Sequence, residues 1–247
     1  MSALDLNADL GEGVGDDAAM MEIVSSASIA CGGHAGDKAT MRAALRAAKA
    51  AGVAVGAHPG FADRENFGRA RLALEPAVLQ TQVRGQVAEL LSLAAEAKVP
   101  VRYVKLHGAL ANMAAEDETV ATAAFTACAG LQDDLAILAI DNSAQVTVAE
   151  RLGFPVIREA YADRAYRPDG LLVSRSSFGA VIHDTADIAD RAVRLAEAGE
   201  IVAIDGTLIE TEARSLCIHG DTPQAVEIAR VVKVALRAAG VEIRAPF

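Results

Sequence analysis

The sequence is poor in the residues that build disulfide-rich, aromatic-rich or membrane-spanning proteins. It has no Trp, 4% aromatic residues and three Cys among 247 residues. Because Cys31, Cys128 and Cys217 are odd in number and far apart, they indicate neither a disulfide framework nor a C-x-x-C metal motif. No apolar run reaches the roughly 18 residues of a membrane span, and no basic-then-apolar leader follows Met1. We therefore expect a cytoplasmic protein without membrane contact.

The charge and the missing motifs exclude further classes. A formal net charge of -10 makes nucleic acid a poor partner. The chain contains no H-E-x-x-H, no G-x-S-x-G and no phosphate-binding G-x-x-x-x-G-K-[ST]. A serine nucleophile is therefore not indicated, and the apolar neighbours of Cys31 favour a core residue over a thiol nucleophile.

Apolar β-rich runs alternate along the chain with Ala-rich amphipathic runs. We predict strands at residues 4–9, 28–31, 53–57, 102–106, 135–140, 156–159 and 216–219, and helices at 38–51, 76–97, 118–130, 144–152, 186–198 and 223–239. The last helix carries start signals at Asp221 or Thr222 and at Pro223. Asp205-Gly206 between residues 201–204 and 207–210 predicts a hairpin outside the main alternation. Without a visible linker, we expect one domain over residues 1–247.

Such alternation gives either a closed (β/α) barrel or an open, doubly wound sheet, and the pattern alone does not choose. The absence of G-x-G-x-x-G after the first strand weighs against a dinucleotide-binding sheet. In both folds the carboxyl ends of the strands build the functional site.

Four of the five histidines stand at such strand ends. These are His34, His58, His107 and His219, each beside or near a glycine. Parallel strands bring these ends together, so we expect the four imidazoles to converge, whereas His183 lies in a loop. Such a group suits general acid/base hydrolysis or a divalent metal site.

Charged residues accompany the histidines. Asp5, Asn7 and Asp9 are spaced by two and share one face of the first strand. Asp9 is at the mouth and is expected to be functional, whereas Asp5 can simply be solvated at the strand start. Lys105 lies in an apolar run and is expected to meet an acid such as Asp9 or Glu159, although the pair can be purely structural. Asp37 is either a helix cap or a functional acid.

The blocks that carry these residues occur in one order along the chain. They read D-L-N-A-D-L-G-E from Asp5, A-C-G-G-H-A-G-D from Ala30, G-A-H-P-G from Gly56, F-G-R from Phe67, V-K-L-H-G-A-L from Val104, E-A-Y-A-D-R from Glu159 and C-I-H-G-D from Cys217. Together they resemble the LamB/YcsF family of 5-oxoprolinase A subunits over nearly the whole chain.

This resemblance implies a fold and an activity. The fold is a glycoside hydrolase/deacetylase-like (β/α) barrel of about seven parallel strands. The activity is ATP-dependent hydrolysis of the lactam of 5-oxo-L-proline (pyroglutamate) to L-glutamate, together with partner subunits B and C. Two alternatives stay open, namely a stand-alone metal-dependent deacetylase or amidohydrolase, and a non-catalytic subunit that presents substrate.

Within that activity we infer roles for the mouth residues. The predicted catalytic set is Asp9, His34, His58, Lys105, His107 and His219. Asp9 or His58 is expected to activate water, and the other histidines to stabilise the intermediate, protonate the leaving nitrogen or hold a divalent metal. The predicted substrate-binding set is Asn7, Glu12, Arg69, Glu159, Asp163 and Arg164. An Ala-rich outer helical layer also leaves a homodimer possible.

Overall fold

Seven parallel strands of the computed structural model close into a barrel, as predicted. The structure describes residues 3–219 and 224–247. The strands are β1 (Ala3–Leu10), β2 (Ser26–Ala30), β3 (Ala54–His58), β4 (Val101–Val104), β5 (Ala136–Ile140), β6 (Val156–Tyr161), β7 (Glu200–Val202), β8 (Leu208–Glu210), β9 (Ser215–Cys217) and β10 (Glu242–Ile243). Strands β1 to β6 pair in sequence order, and β9 pairs with both β6 and β1 and so completes the ring.

The remaining strands lie outside the ring. Strands β7 and β8 form the predicted antiparallel hairpin, and Gly206 takes a φ of 90° in its turn. The short β10 was not predicted and pairs in parallel with the start of β1.

Helices cover the outside of the barrel. They are α1 (Asp17–Met21), α2 (Lys38–Ala51), α3 (Pro76–Ala97), α4 (Gly108–Glu116), α5 (Glu118–Thr126), α6 (Ala144–Arg151), α7 (Thr185–Ala198) and α8 (Ala225–Ala238). Helices α1 and α4 were not predicted. The predicted start signals of the last helix at residues 221–223 lie outside the described residues. Among the described residues, no helix is both long and apolar enough to cross a membrane.

Local signals explain where two of these helices begin and end. Asp37 accepts hydrogen bonds from the backbone N–H groups of Ala39 and Thr40 and caps α2. Its exposed position supports the cap and not the functional acid. The predicted helix at residues 118–130 corresponds to α5, which ends at Thr126, so the predicted end was wrong. After Thr126 the chain tightens into turns, and Gly130 adopts a left-handed φ of 69° that ends the segment.

The core lies between the barrel and its helices, whereas the lower barrel is filled by one large ring. Tyr103 of β4 is 1% exposed, hydrogen bonds with Ser28 and stacks on Phe247. Its ring crosses β3 at Gly56, where a Cβ atom would come within 2.1 Å of the ring. Gly56 is therefore required by close packing.

Replacing Gly56 by Ala should destabilise the barrel by about 1–3 kcal/mol, because Tyr103 has to move out of a packed interior. The measurement is urea unfolding followed by circular dichroism. Gly85 of α3 is the matched control, since it is exposed and has no heavy atom within 4 Å of a built Cβ. Gly85→Ala should stabilise by about 0.5–1 kcal/mol. Equal effects of the two substitutions would contradict this account of Gly56.

Candidate active site

Three of the four predicted histidines meet at the barrel mouth, and the fourth, His219, lies beside Asp9, with ligand atoms of the two residues within 4.8 Å of each other. His58 ends β3, while His34 and His107 follow β2 and β4. The rings of His34 and His107 stack with centroids 3.6 Å apart, and His58 stands edge-on to both. We call His34, His58 and His107 together with Glu12 the histidine cluster.

Glycines allow this close packing. A Cβ on Gly60 would lie 2.9 Å from Nδ1 of His34 and 3.1 Å from Cβ of His107. A Cβ on Gly68, which has a left-handed φ of 65°, would lie 2.7 Å from Cβ of His34. Both glycines therefore permit the backbone to approach the stacked rings.

The cluster is buried and linked to two acids. Nε2 of His34 lies 3.1 Å from Glu12, and Nε2 of His58 lies 3.3 Å from Asp9. Burial lowers the pKa of His34 to about 2. Burial likewise holds the pKa of His107 well below its usual range. Both rings are therefore neutral at physiological pH.

Below the mouth, β1 sends a ladder of polar side chains up the barrel interior. Asp5 is 2% exposed, so the alternative that it is solvated was wrong. It accepts hydrogen bonds from Ser25, Ser26 and Ser215. Asn7, two residues on, donates to Glu159 over 2.8 Å. Asp9 forms the top of the ladder and lines the cavity.

Lys105 binds the upper rungs of this ladder together. Its Nζ lies 3.0 Å from Asp9, 2.8 Å from Glu159 and 3.0 Å from Oδ1 of Asn7. Both acids that the sequence suggested as partners of Lys105, Asp9 and Glu159, are thus confirmed. Burial by itself would lower the pKa of Lys105, but the carboxylates of Asp9 and Glu159 raise it well above the usual value. Burial would raise the pKa of Asp9, yet His58 and Lys105 hold it well below the usual value.

Next to Asp9 at the mouth, His219 and Asp163 form a dyad. Both carboxylate oxygens of Asp163 lie 2.9 Å from Nδ1 of His219. Burial would raise the pKa of Asp163, but the charge and hydrogen bond of His219 keep it below the usual value. Since Nδ1–H is held by the carboxylate, Nε2 is the nitrogen left for a ligand. Tyr161 stacks on the imidazole at 5.3 Å.

A cavity of about 380 Å³ opens at the mouth. Acids and imidazoles line it together with five arginines, namely Arg69, Arg71, Arg164, Arg167 and Arg175. Arg71 pairs with Glu116, and Arg167 pairs with Asp169. Arg175 is half-buried and makes no hydrogen bond or ion pair with any other residue that the structure describes. The cavity therefore offers a cation to an anionic ligand.

Comparison with known proteins identifies the family. The model of the LamB/YcsF family matches residues 4–247. The chain belongs to the LamB/YcsF family.

Similar proteins carry consistent names. The 5-oxoprolinase A subunit of Rhodopseudomonas palustris (strain BisB18) is 46% identical over 253 residues, which span 100% of this chain and 99% of that protein. The 5-oxoprolinase A subunit of Chloroflexus aggregans is 42% identical over 251 residues, with 100% of both chains covered. The lactam utilization protein of Thermus thermophilus superposes with a TM-score of 0.92 at 40% identity and covers 99% of this chain and 100% of its own.

A more distant likeness concerns the fold alone. The family 4 carbohydrate esterase of Streptomyces lividans gives a TM-score of 0.50 at 10% identity, covering 98% of this chain and 91% of the esterase. The predicted deacetylase-like barrel is thereby confirmed as a fold.

In this LamB/YcsF barrel the predicted site residues fall into two groups. Those lining the cavity are Asp9, Glu12, His58, Arg69, His107, Arg164 and His219. The others, which lie behind the lining, are Asn7, His34, Lys105, Glu159 and Asp163. Asn7 and Glu159 were predicted to bind substrate, but their polar atoms are directed to Lys105, so we assign them to its support.

Sequence reasoning missed Tyr161 and Arg175. Tyr161 belongs to the E-A-Y-A-D-R block and also lies against Lys105, with Nζ 5.2 Å from the ring centroid. Arg175 lies in the segment of residues 162–184 between β6 and α7. The sequence of this segment contains several arginines and no signal that selects one of them. Only the folded loop brings Arg175 to the cavity.

Replacing Lys105 by Met should cost about 3–5 kcal/mol of unfolding free energy near neutral pH, because Asp9 and Glu159 lose their buried cation. The folded-state pKa of Asp9 then rises, because Lys105 no longer opposes the effect of burial, so the variant should lose stability relative to wild type as pH increases from about 4 to 8. Urea unfolding across this range measures the effect.

The control for this substitution is Lys38→Met, which removes an exposed ion pair with Glu89 and should change stability by about 1 kcal/mol or less. A Lys105→Met variant with the same stability and the same pH profile as Lys38→Met would show that the buried charge network is unimportant.

Proposed function

We propose that this chain is the lactam-opening subunit of an ATP-dependent 5-oxoprolinase, which hydrolyses 5-oxo-L-proline to L-glutamate together with subunits B and C. The observation that carries the proposal is a cavity lined by the buried acid Asp9, by imidazoles and by Arg175, whose guanidinium makes no hydrogen bond or ion pair with another described residue. The names of the similar proteins, which include the A subunit of 5-oxoprolinase and a lactam utilization protein, support the substrate and the presence of partner subunits.

Opening a lactam requires three operations on the ring amide. Water has to lose a proton as it adds to the carbonyl carbon, the charge that develops on oxygen has to be stabilised, and the ring nitrogen has to leave protonated. The cavity supplies candidates for each operation. We assign proton removal to His219, which Asp163 orients, and place the ring against Asp9 and His58, which line the same cavity.

His219 fits the role of base for a geometric reason. Its Nδ1–H is fixed by the Asp163 carboxylate, so Nε2 can take a proton while the carboxylate stabilises the resulting imidazolium. Asp9 is less suited to remove a proton, since Lys105 and His58 stabilise its ionised form and lower its pKa. The sequence-based choice of Asp9 or His58 as the base is thus modified.

The substrate also carries a carboxylate that needs a cation. Arg175 and Arg69 both line the cavity, and Arg69 lies over the Phe67 ring at 5.1 Å. Arg175 has no competing partner among the described residues, so we assign the substrate carboxylate to its guanidinium. Arg164 also lines the cavity, but its guanidinium already donates hydrogen bonds to the carbonyl groups of Val173 and Ala180.

ATP is assigned to the complex and not to this chain alone. Amide resonance makes the lactam a poor electrophile, and phosphorylation of its oxygen is a general way to activate it. The sequence contains no phosphate-binding loop. We therefore propose that subunits B and C perform or share the transfer of the terminal phosphoryl group of ATP to the lactam oxygen. The present chain then adds water to the activated carbon, the ring C–N bond breaks, and the phosphoryl group leaves by hydrolysis as inorganic phosphate as L-glutamate forms.

The reaction should release glutamate from 5-oxoproline only when this chain, subunits B and C, and ATP are all present. Amino-acid analysis of mixtures that each lack one component tests this requirement.

Arg175→Lys should raise KM for 5-oxoproline with little change in kcat, because the charge stays but the bidentate contact is lost.

Other outcomes select the alternatives. Hydrolysis of amide or acetyl substrates by the isolated chain without ATP would favour a stand-alone amidohydrolase. Full activity of the complex after replacement of Asp9 and His219 would favour a subunit that only presents substrate. A folded, complete mixture that releases no glutamate would disprove the proposed reaction.

Asp163→Asn should lower kcat of the complete complex by about 10²–10⁴-fold, because His219 loses the carboxylate that sets its tautomer. KM should change much less, since Asp163 lies behind the cavity lining. The steady-state rate of glutamate release gives both constants.

The matched control is Asp187→Asn at the exposed start of α7, which should leave both constants unchanged. If kcat of Asp163→Asn equals that of this control, the dyad does not carry the proton transfer.

A further inference from the structure

We infer that Glu12, His58 and His107 form a binding site for one divalent transition-metal ion of the zinc type, open to the cavity. The inference rests on how the ligand atoms of these side chains are arranged and does not depend on the lactam-opening reaction. No metal is needed to explain the ladder of polar side chains on β1, the dyad of His219 and Asp163, or the arginines of the cavity. If the chain binds no metal, the description of those groups therefore still holds.

Hydrogen bonds at the far side of each ring fix where the protons are. Nδ1 of His58 lies 2.9 Å from the carbonyl oxygen of Lys105, and Nε2 of His107 lies 3.0 Å from that of Phe67. A carbonyl oxygen only accepts, so both of these nitrogens carry hydrogen. In neutral rings the opposite nitrogens, Nε2 of His58 and Nδ1 of His107, therefore carry lone pairs.

Those two lone-pair nitrogens face each other at 2.9 Å. Two acceptors at this distance repel each other unless a positive species lies between or beside them. A metal ion fulfils that requirement for both rings at once. The backbone carbonyls that receive the far N–H groups are also typical of metal-binding histidines, since they fix the tautomer and the ring orientation.

Glu12 supplies the third ligand atom. Its Oε1 lies 3.4 Å from Nδ1 of His107, and the ligand atoms of the histidine cluster all lie within 4.8 Å of one another. Zinc–nitrogen bonds of about 2.0–2.1 Å in a tetrahedron separate neighbouring ligand atoms by about 3.3 Å. The observed 2.9 and 3.4 Å bracket this separation.

The donor set selects the kind of ion. Two imidazole nitrogens and one carboxylate oxygen suit zinc and similar transition ions, whereas calcium and magnesium prefer oxygen alone. Glu12, His58 and His107 all line the cavity. Three protein ligands with a fourth position facing a cavity are the arrangement in which zinc keeps a place for water or substrate.

His34 belongs to the cluster but is assigned a supporting role. Its ring is parallel to that of His107, at 5° and 3.6 Å, and imidazole lone pairs lie in the ring plane. Two parallel stacked rings cannot both direct a lone pair at one ion. His34 instead points Nε2 at Oε1 of Glu12 over 3.1 Å, so its N–H orients the carboxylate.

The competing explanation is a proton in place of the metal. An imidazolium at His58 would donate from Nε2 to His107 or to Asp9, which lies 3.3 Å away. The two explanations differ in composition, because only one requires an ion. Metal analysis therefore separates them directly.

The test uses the full-length chain, stripped with a chelator and then titrated with Zn²⁺ by calorimetry, with metal content measured by plasma mass spectrometry after dialysis. We expect one equivalent per chain. Co²⁺ in place of Zn²⁺ should give the strong visible absorption of a low-symmetry nitrogen/oxygen site. His107→Ala and Glu12→Gln should each weaken binding at least about 100-fold, and His34→Gln should weaken it about 10–100-fold.

His183→Ala is the matched control, since it removes an exposed imidazole far along the chain from the cluster. It should leave the stoichiometry and the affinity unchanged. Circular dichroism checks the fold of each variant. Because Glu12→Gln is nearly isosteric, it decides the question if His107→Ala does not fold.

Two results would overturn the site. One is a wild-type chain that retains far less than one equivalent and shows no heat of binding, which would favour the shared proton. The other is Zn²⁺ affinity that is equal in wild type, Glu12→Gln and His183→Ala, which would place the ion elsewhere on the protein.

Discussion

The barrel mouth depends on one buried ammonium. Lys105 is 2% exposed and lies between Asp9 and Glu159, so its positive charge balances two buried carboxylates. Through Asn7 it is also tied to the lower rungs of the β1 ladder. Together with His58, Lys105 holds the pKa of Asp9 well below its usual value, so the charge of Asp9 at the cavity depends on both residues.

The two kinds of group that line the cavity have different physical characters. The histidine cluster is buried, closely stacked and held by backbone carbonyls, so its geometry is fixed before any ligand arrives. Three of the five arginines, Arg164, Arg167 and Arg175, come from the chain after β6, and the other two come from the chain after β3. Preorganised imidazoles and guanidinium groups at one cavity suit a site that acts on a small charged molecule.

Much of the site follows from periodicity along the sequence. The spacing of Asp5, Asn7 and Asp9 by two residues places them on one face of β1, and the structure shows this face inside the barrel. The acid partner of Lys105 was predicted because an unpaired lysine is too costly in an apolar strand. The proximity of His219 to Asp9 and its pairing with Asp163 were not predictable, because both depend on the pairing of β9 with β1 and β6.

The sequence alone determined the alternation of strands and helices, the strand ends that bear the histidines and the family, since these depend on local periodicity and on residue blocks. Only the tertiary structure decided ring closure, the stacking of His34 on His107, and the arrival of Arg175 at the cavity. The reason is that these contacts join residues far apart in the chain. Their distances depend on strand register and packing, which no local pattern specifies.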